Sequence, residues 1–215
     1  MIIDMSIPLN EDTEPFPDGG DPHLEWGQLA TFEKNNLQVS IVKMVLHLGT
    51  HVDAPRHYVS TGKTVTGMGL ESYFGEAVCI DASELAGKEH VMDLTELMAQ
   101  NKDLIKPGDI LIVYTGWCEN FGDPVYFKHF PEYAPNTGDV LEKYGVRTIG
   151  VDTPSFDRPG TAHRAFLAKD RTIIECLLNV KQLVGKRFLF CAAPLPFTKG
   201  DGSPVRAFAV LNENE

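Results

Sequence analysis

The chain has 215 residues, of which 43% are hydrophobic, so residues 1–215 can bury one substantial core as a single domain. Its 19 basic and 30 acidic residues give a formal net charge of −11 at pH 7, which argues against nucleic acid and anionic membranes as partners. Because no apolar run approaches the roughly 20 residues of a membrane span and the start lacks a signal-peptide pattern, we expect a cytoplasmic protein.

The first part of the chain predicts a long loop followed by strands. Prolines and glycines among acidic residues interrupt residues 5–25 and exclude a helix or an inner strand there. Residues 37–46 carry β-branched side chains in imperfect alternation, which predicts a largely buried strand leading directly into His47. A short strand is predicted at residues 77–81.

Helices and strands then alternate along the rest of the chain. Helices are predicted at 93–104, opened by a capping box, at 137–144 and at 175–184, the last two closed by glycines. The predicted strands are short apolar runs bounded by turn residues, at 109–115, 146–151, 187–193 and 205–211, with a turn at 199–203 between the last two. This interleaving predicts a mixed α/β fold.

The four cysteines are far apart and form no Cys-x-x-Cys pair. They are Cys79, Cys118, Cys176 and Cys191. A chain of this length folds without covalent crosslinks, so we predict reduced thiols in the core.

The stretch with the clearest chemical content is residues 47–57, which holds three of the seven histidines and one aspartate. These residues are His47, His51, Asp53 and His57. In a strand they share one parity, so their side chains would leave the backbone on the same side. A straight strand would separate the first and last by roughly 33 Å, far beyond the spacing of ligands on one metal. The chain must therefore bend, and Gly49 and Pro55 are placed to allow it.

Imidazoles and a carboxylate form a ligand set suited to Zn²⁺, Mn²⁺ or Fe²⁺, and three protein ligands leave a coordination position free for water. That open position favours catalysis. One alternative is that ordinary hydrogen bonds satisfy these histidines. The other is a noncatalytic metal-binding protein in which every coordination position is filled.

Two residues further along the chain are additional candidates. Glu175 lies within an apolar run, where an unpaired carboxylate is costly to bury, so it needs a cation or a hydrogen-bonded partner. An exposed helix face is the alternative for Glu175. His163 is a candidate ligand, and a surface or capping position is its alternative.

The pattern His-x-Gly-Thr-His-x-Asp-x-Pro-x-His at residues 47–57 resembles the signature of the cyclase-like metal-dependent hydrolases, which include bacterial kynurenine formamidase and isatin hydrolase. Shorter similar segments cover nearly the whole chain, at residues 3–8, 115–117, 150–155 and 202–206. The resemblance implies a swivelling β/β/α-like fold, one or two ions of zinc or manganese, and a homodimer or larger assembly.

The resemblance also implies roles for individual residues. It places His47, His51 and Asp53 around one metal, with Asp53 able to bridge to a second. It implies that His163 and Glu175 complete the second site. It assigns proton transfer to His57, which in some members of the family is close enough to be a ligand.

The reaction that the resemblance implies is hydrolysis of an amide-type C–N bond of a small molecule by a metal-activated water. The best single substrate is N-formylkynurenine, giving kynurenine and formate, and a cyclic amide, imide or lactone is the alternative. Phe16 takes the place of an aromatic residue that lines the substrate pocket in the family. Its turn is longer and differently ordered here, so a plain loop anchor is the alternative for Phe16.

Overall fold

The computed structural model describes residues 1–17 and 20–211 and has a mixed α/β fold, as the interleaved pattern predicts. The strands, numbered in chain order, are β1 (Ile2–Asp4), β2 (Glu25–Ala30), β3 (Val39–Lys43), β4 (His51–Asp53), β5 (Phe74–Asp81), β6 (Val91–Met92), β7 (Ile110–Tyr114), β8 (Glu132–Tyr133), β9 (Thr148–Val151), β10 (Thr172–Glu175), β11 (Arg187–Cys191), β12 (Gly202–Pro204) and β13 (Phe208–Val210). The helices are α1 (Phe32–Asn35), α2 (Ser83–Lys88), α3 (Thr95–Gln100), α4 (Thr137–Glu142) and α5 (Thr161–Leu167).

The main sheet has the strand order β1-β13-β11-β5-β7-β9-β10-β4-β12. Its centre, from β5 to β10, is parallel, and the strands on both sides pair antiparallel. All residues of β7 and β9 are buried, as expected for parallel strands covered on both faces. The short pairs β2-β3 and β6-β8 form two separate sheets.

The two faces of the main sheet belong to two hydrophobic clusters. Alternate residues of β7 divide between them, because successive side chains of a strand point to opposite faces. Ile112 packs in one cluster with Phe190, and Leu111 packs in the other with Phe166 of α5 and Leu141 of α4. The helices therefore cover the second face.

The strand predicted at residues 37–46 is present as β3, but the prediction that it is largely buried is wrong. All five residues of Val39–Lys43 are exposed, and β3 pairs with β2 in the two-stranded sheet. Apolar side chains on this hairpin, such as Trp26 and Ile41, are about half exposed. The apolar pattern indicates a surface suited to burial, but residues 1–17 and 20–211 do not cover it.

The helix predicted at 175–184 is also wrong. Glu175 ends β10, whose β-branched residues favour a strand, and Cys176 has a φ of +59° that breaks any helix at that point. Only a 3₁₀ turn, Val180–Leu183, forms in the described part of this segment. Helix α5 was not predicted.

The other predicted elements are present with shifted ends. The predicted loop at 5–25 is irregular up to residue 24 in its described part, and Asp18 and Gly19 lie outside the described residues. Part of the turn predicted at 199–203 forms β12. The four cysteines are free, and Cys191 is only partly buried. Among the described residues, no helix has the length and apolar character to cross a membrane.

Candidate metal centre

Residues 47–57 bend as their spacing requires. Gly49 has a φ of +62°, and a Cβ there would lie 2.6 Å from Leu9 Cδ2, so both conformation and space favour glycine. After the short strand β4, a 3₁₀ turn, Pro55–His57, returns the chain toward the site. The bends predicted at Gly49 and Pro55 are therefore confirmed.

Strand β4 lies between β10 and β12, and this register assembles the centre of the site. His51 is the Cα partner of Glu175 in β10, and Asp53 is the partner of Gly202 in β12. The side chains of His51 and Asp53 share one face, with His51 Nε2 3.2 Å from Asp53 Oδ1. The same nitrogen lies 3.4 Å from Glu175 Oε2. Two stretches remote in sequence thus meet at one buried point.

Helix α5 brings His163 to the same point. His163 Nε2 lies 3.0 Å from Glu175 Oε1 and 3.6 Å from Asp53 Oδ2. Its other nitrogen, Nδ1, lies 2.5 Å from Asp157 Oδ1, and the backbone N–H groups of Ala162 and His163 donate to the Asp157 carboxylate. Asp157 therefore fixes both the start of the helix and the direction of the imidazole.

His47 and His57 form the more open side of the site. His47 Nδ1 lies 2.7 Å from Asp53 Oδ1, and the rings of His47 and His57 stack with centroids 3.9 Å apart. The Asp201 carboxylate lies beside both rings, 3.0 Å from His47 Nε2 and 3.6 Å from His57 Nδ1. The ring of Tyr58 packs edge-on against His57.

The donor atoms suit a divalent cation. Two groups of side chains each offer ligand atoms that lie within 4.8 Å of one another. One group is His47, Asp53 and His57, and the other is His51, Asp53 and Glu175. Asp53 belongs to both groups, and its buried Oδ2 has no hydrogen-bond partner among the described residues. A buried carboxylate oxygen without a donor is costly unless a cation satisfies it. Imidazole nitrogens with carboxylate oxygens are the ligands that zinc and manganese use.

The five predicted ligands, His47, His51, Asp53, His163 and Glu175, and the predicted proton-transfer residue His57 therefore lie together, but their grouping differs from the one that the resemblance implies. His57 joins His47 and Asp53 in the first group, whereas His51 joins Glu175. The alternative that Glu175 lies on an exposed helix face is wrong, since the residue is buried at the end of a strand. His163 is buried as well, which excludes a surface position.

The site concentrates opposite charges away from water. Burial alone would lower the pKa of His163, but hydrogen bonds to Asp157 and Glu175 outweigh it and raise this pKa to about 10. Burial would raise the pKa of Asp53, but the adjacent imidazoles of His57 and His47 hold it well below its usual range. The protein thus keeps Asp53 ionised at neutral pH in a site where only a cation or an imidazolium balances it.

Two cavities adjoin the site and share Phe16, His47 and Pro154 in their walls. One, of about 210 Å³ and called the aromatic cavity below, has Phe121, Tyr126 and Phe127 in its wall together with acidic residues such as Asp12 and Asp123. The other, of about 550 Å³, opens onto the metal-site side chains.

The position of Phe16 is compatible with both of its predicted roles, lining the substrate pocket and anchoring its loop. It lines the two cavities, and its ring packs edge-on against Phe127 and Phe130 with centroids 6.1 and 6.2 Å away. The Arg158 guanidinium lies over the Phe16 ring, 5.4 Å from its centroid. Phe16 is therefore an anchored side chain that faces the cavities.

Sequence reasoning assigned no role to Asp157 and Asp201. Asp157 precedes α5 by four residues, and Asp201 stands between two glycines in a predicted turn. Both positions are typical of ordinary capping and turn aspartates, so only the fold distinguishes them. A carboxylate close to a suspected ligand histidine is the signal to search for, because metal-binding imidazoles usually donate their second N–H to such a group.

Comparison with known proteins identifies a family model and curated relatives that match most of the chain. The family model Cyclase, described as "Putative cyclase", matches residues 3–158. The chain is 32% identical over 210 residues to the kynurenine formamidase of Bacillus cytotoxicus, with 95% of each chain covered. It is 32% identical over 221 residues to the kynurenine formamidase of Bordetella avium, covering 99% of this chain and 98% of the relative.

Solved structures share the fold. Isatin hydrolase A from Labrenzia aggregata, bound to benzyl benzoate, superposes with a TM-score of 0.85 at 24% identity, covering 99% of this chain and 94% of the other. Isatin hydrolase A from Ralstonia solanacearum gives a TM-score of 0.85 at 23% identity, covering 99% and 92%. At these identities the likeness supports the architecture alone.

Proposed function

Because the chain belongs to the Cyclase family, we propose that it is a metal-dependent hydrolase that converts N-formylkynurenine and water to kynurenine and formate. The observation that carries this proposal is the buried group of imidazoles and carboxylates around Asp53 beside an aromatic cavity. The kynurenine formamidases that match over nearly their full length support the choice of an arylformamide substrate.

We assign the cation to the residues that meet at Asp53. The proposed ligands are His47, His51, Asp53, His163 and Glu175. Zn²⁺ is the first choice and Mn²⁺ the second, for one or two ions, because both accept nitrogen together with carboxylate oxygen. When bound, a divalent cation supplies Lewis acidity that polarises a carbonyl and lowers the pKa of water.

His57 is the proposed proton-transfer residue. Its side chain is 28% exposed, whereas those of His51 and His163 are nearly inaccessible, so His57 is the imidazole best placed to meet substrate. It takes a proton from the attacking water and delivers it to the amine nitrogen as the C–N bond breaks. Protonation matters because an arylamine leaves poorly as an anion.

The aromatic cavity is the proposed site for the aryl ring of the substrate. Phe16, Tyr126 and Phe127 contribute apolar surface next to His47. Aromatic side chains pack against a planar ring in offset or edge-on geometry and exclude water from it. The scissile formamide would then lie between this cavity and the metal-site side chains.

The exposed β2-β3 hairpin supports a homodimer or larger assembly. Its apolar residues Trp26, Leu29 and Ile41 are each at least half exposed, and an isolated two-stranded hairpin is marginally stable in water. A second copy covering this surface would stabilise it. The four free cysteines fit a reducing cytoplasmic setting.

The decisive experiment measures formate release from N-formylkynurenine by the purified chain. Activity should disappear after treatment with a strong chelator and return with Zn²⁺ or Mn²⁺. Isatin serves as the cyclic-amide comparison. Turnover of isatin but not of N-formylkynurenine would overturn the substrate assignment, and full activity in the metal-free protein would overturn the metal dependence.

A further inference from the structure

We propose that Asp201 is a positioning residue that fixes the orientation of His47, and with it His57, at the metal centre. The inference rests on the proposed function, since it concerns the same cation site. Asp201 lies outside the dense motif at residues 47–57, in the turn that enters β12.

The Asp201 carboxylate lies at an edge that two stacked imidazoles share. Its Oδ2 is 3.0 Å from His47 Nε2 and 3.6 Å from His57 Nδ1. The two rings are inclined by only 26°. A single carboxylate oxygen therefore faces a nitrogen of each ring.

The backbone around Asp201 is fitted to His47. The Ala54 N–H donates to the Asp201 carbonyl oxygen at 2.9 Å, and Gly202 is the Cα partner of Asp53 across β12 and β4. A Cβ at Gly202 would lie 2.5 Å from His47 Cε1, so a larger residue would collide with the ring. The position of Asp201 is thus set by the same strand pairing that places Asp53.

This contact selects one nitrogen of His47 as the ligand. An ionised carboxylate only accepts hydrogen bonds, so without a cation the His47 ring can donate from Nδ1 to Asp53 as well as from Nε2 to Asp201. A cation bound at Asp53 would displace the Nδ1 proton, and Asp201 would hold the remaining proton on Nε2. Nδ1, which lies 2.7 Å from Asp53 Oδ1, is then the nitrogen left for a cation. Asp157 makes the equivalent contact with Nδ1 of His163, which leaves Nε2 of that ring facing Glu175. Each imidazole is thus held between an outer and an inner carboxylate, an arrangement that orients metal ligands.

Asp201 is also a practical site for substitution. Its side chain is 42% exposed, whereas that of Asp53 is 1% exposed, so truncation of Asp201 leaves the buried core intact. Asp201→Ala removes the carboxylate, and Asp201→Asn keeps one carbonyl acceptor at the same place. Asp103→Ala is the matched control, because Asp103 is an exposed aspartate remote in the chain and its loss changes the net charge equally.

The test combines cation affinity with the state of the His47 ring. Competition with a chromophoric chelator gives the Zn²⁺ affinity of each variant, and ¹⁵N NMR of histidine-labelled protein reports which nitrogen carries the proton. We expect Asp201→Ala to bind Zn²⁺ roughly 10–100-fold more weakly than wild type and to lose the Nε2–H signature of His47. Asp201→Asn should lie between the two, and Asp103→Ala should match wild type.

Two results would overturn the inference. One is an Asp201→Ala protein that binds Zn²⁺ as tightly as wild type, and the other is a zinc-loaded wild type in which His47 binds through Nε2. In both cases wild type still binds zinc, so the proposed function stands. A wild type that binds no divalent cation would overturn the proposed function together with this inference.

Discussion

The Asp157 carboxylate lies 2.5 Å from Nδ1 of His163, and it also accepts the backbone N–H of the same histidine. One side chain therefore caps a helix and orients an imidazole that the helix carries. The two tasks can be separated by experiment.

Asp157→Ala should lower both stability and cation affinity. Loss of the cap costs about 1 kcal/mol of unfolding free energy, and loss of the outer carboxylate weakens cation binding by roughly 10-fold or more. Urea unfolding of the metal-free protein measures the first effect, and chelator competition measures the second. Asp157→Asn keeps an acceptor for the backbone N–H groups, so it should recover most of the stability. Unchanged zinc affinity in the alanine variant would contradict the orienting role.

His51→Ala and His57→Ala should fail in different ways. Because His51 is a proposed ligand at the buried centre, His51→Ala should lose bound metal and activity together. His57→Ala should retain metal while kcat falls by about 10²–10⁴-fold, the range for loss of a general acid-base group. Metal content by mass spectrometry and formate release are measured on the same samples, with exposed His23→Ala as control. A fully active His57→Ala protein would contradict its assigned role.

Asp152 should make stability depend on pH. Its buried carboxylate accepts N–H groups from Thr115 and Gly116, yet burial raises its pKa to about 6. This pKa is above the value of 3.8 expected when unfolded. The folded state therefore binds the proton more tightly, so the contribution to stability is complete below about pH 4 and is lost as the pH rises through about 6.

The complete shift corresponds to about 3 kcal/mol of unfolding free energy, of which wild type should lose about 2 kcal/mol between about pH 4.5 and 7.5. Asp152→Asn does not titrate, so its unfolding free energy should lack this component. Urea unfolding of chelator-treated protein between about pH 4.5 and 7.5 gives the comparison, with exposed Asp103→Asn as control. Parallel pH profiles for wild type and Asp152→Asn would refute the prediction.

Gly49→Ala should damage the site more than Gly185→Ala. Both glycines have a left-handed φ, +62° and +73°, so alanine costs about 1 kcal/mol of unfolding free energy at either position. Only Gly49 is crowded, since its added Cβ would meet Leu9 at 2.6 Å, whereas Gly185 has open space. We expect an additional loss of about 1–3 kcal/mol and weaker zinc binding for Gly49→Ala alone. Equal stability and zinc affinity of the two variants would argue against a fitted bend.

Ile41→Asp should weaken the proposed assembly. Ile41 is 50% exposed on the β2-β3 hairpin, and a charge in an apolar contact is costly to desolvate. The dissociation constant should rise by roughly 30-fold or more, as for a residue central to an interface. Leu70→Asp is the control, since Leu70 is 73% exposed outside the hairpin. Sedimentation velocity measures the assembly, and identical profiles for both variants would exclude the hairpin as the interface.

The parts of the site that lie close together in sequence were predictable, and those that depend on strand pairing were not. The segment from His47 to His57 carries the imidazole and carboxylate side chains themselves, and the glycine and proline between them allow the bends. Glu175 was identified by the cost of burying a carboxylate, although its element was wrong because an apolar run fits a helix as well as a strand. Asp201 gains its role only when β12 pairs with β4, and local patterns do not encode that register.

The same limit applies to the fold. The buried central strands were predicted because a parallel sheet covered on both faces produces continuous apolar runs. The exposure of β3 was not predicted, because the sequence pattern of β-branched residues is the same whether a strand is covered by its own chain or by another surface.

The pairing of β4 with β12 also determines when the site exists during synthesis. Asp53 is synthesised well before its partner Gly202, because β4 precedes β12 in the chain by more than half of the described fold. A nascent chain therefore contains the histidine cluster before the turn that carries Asp201 has been made, and the complete arrangement can form only after β12 has been synthesised.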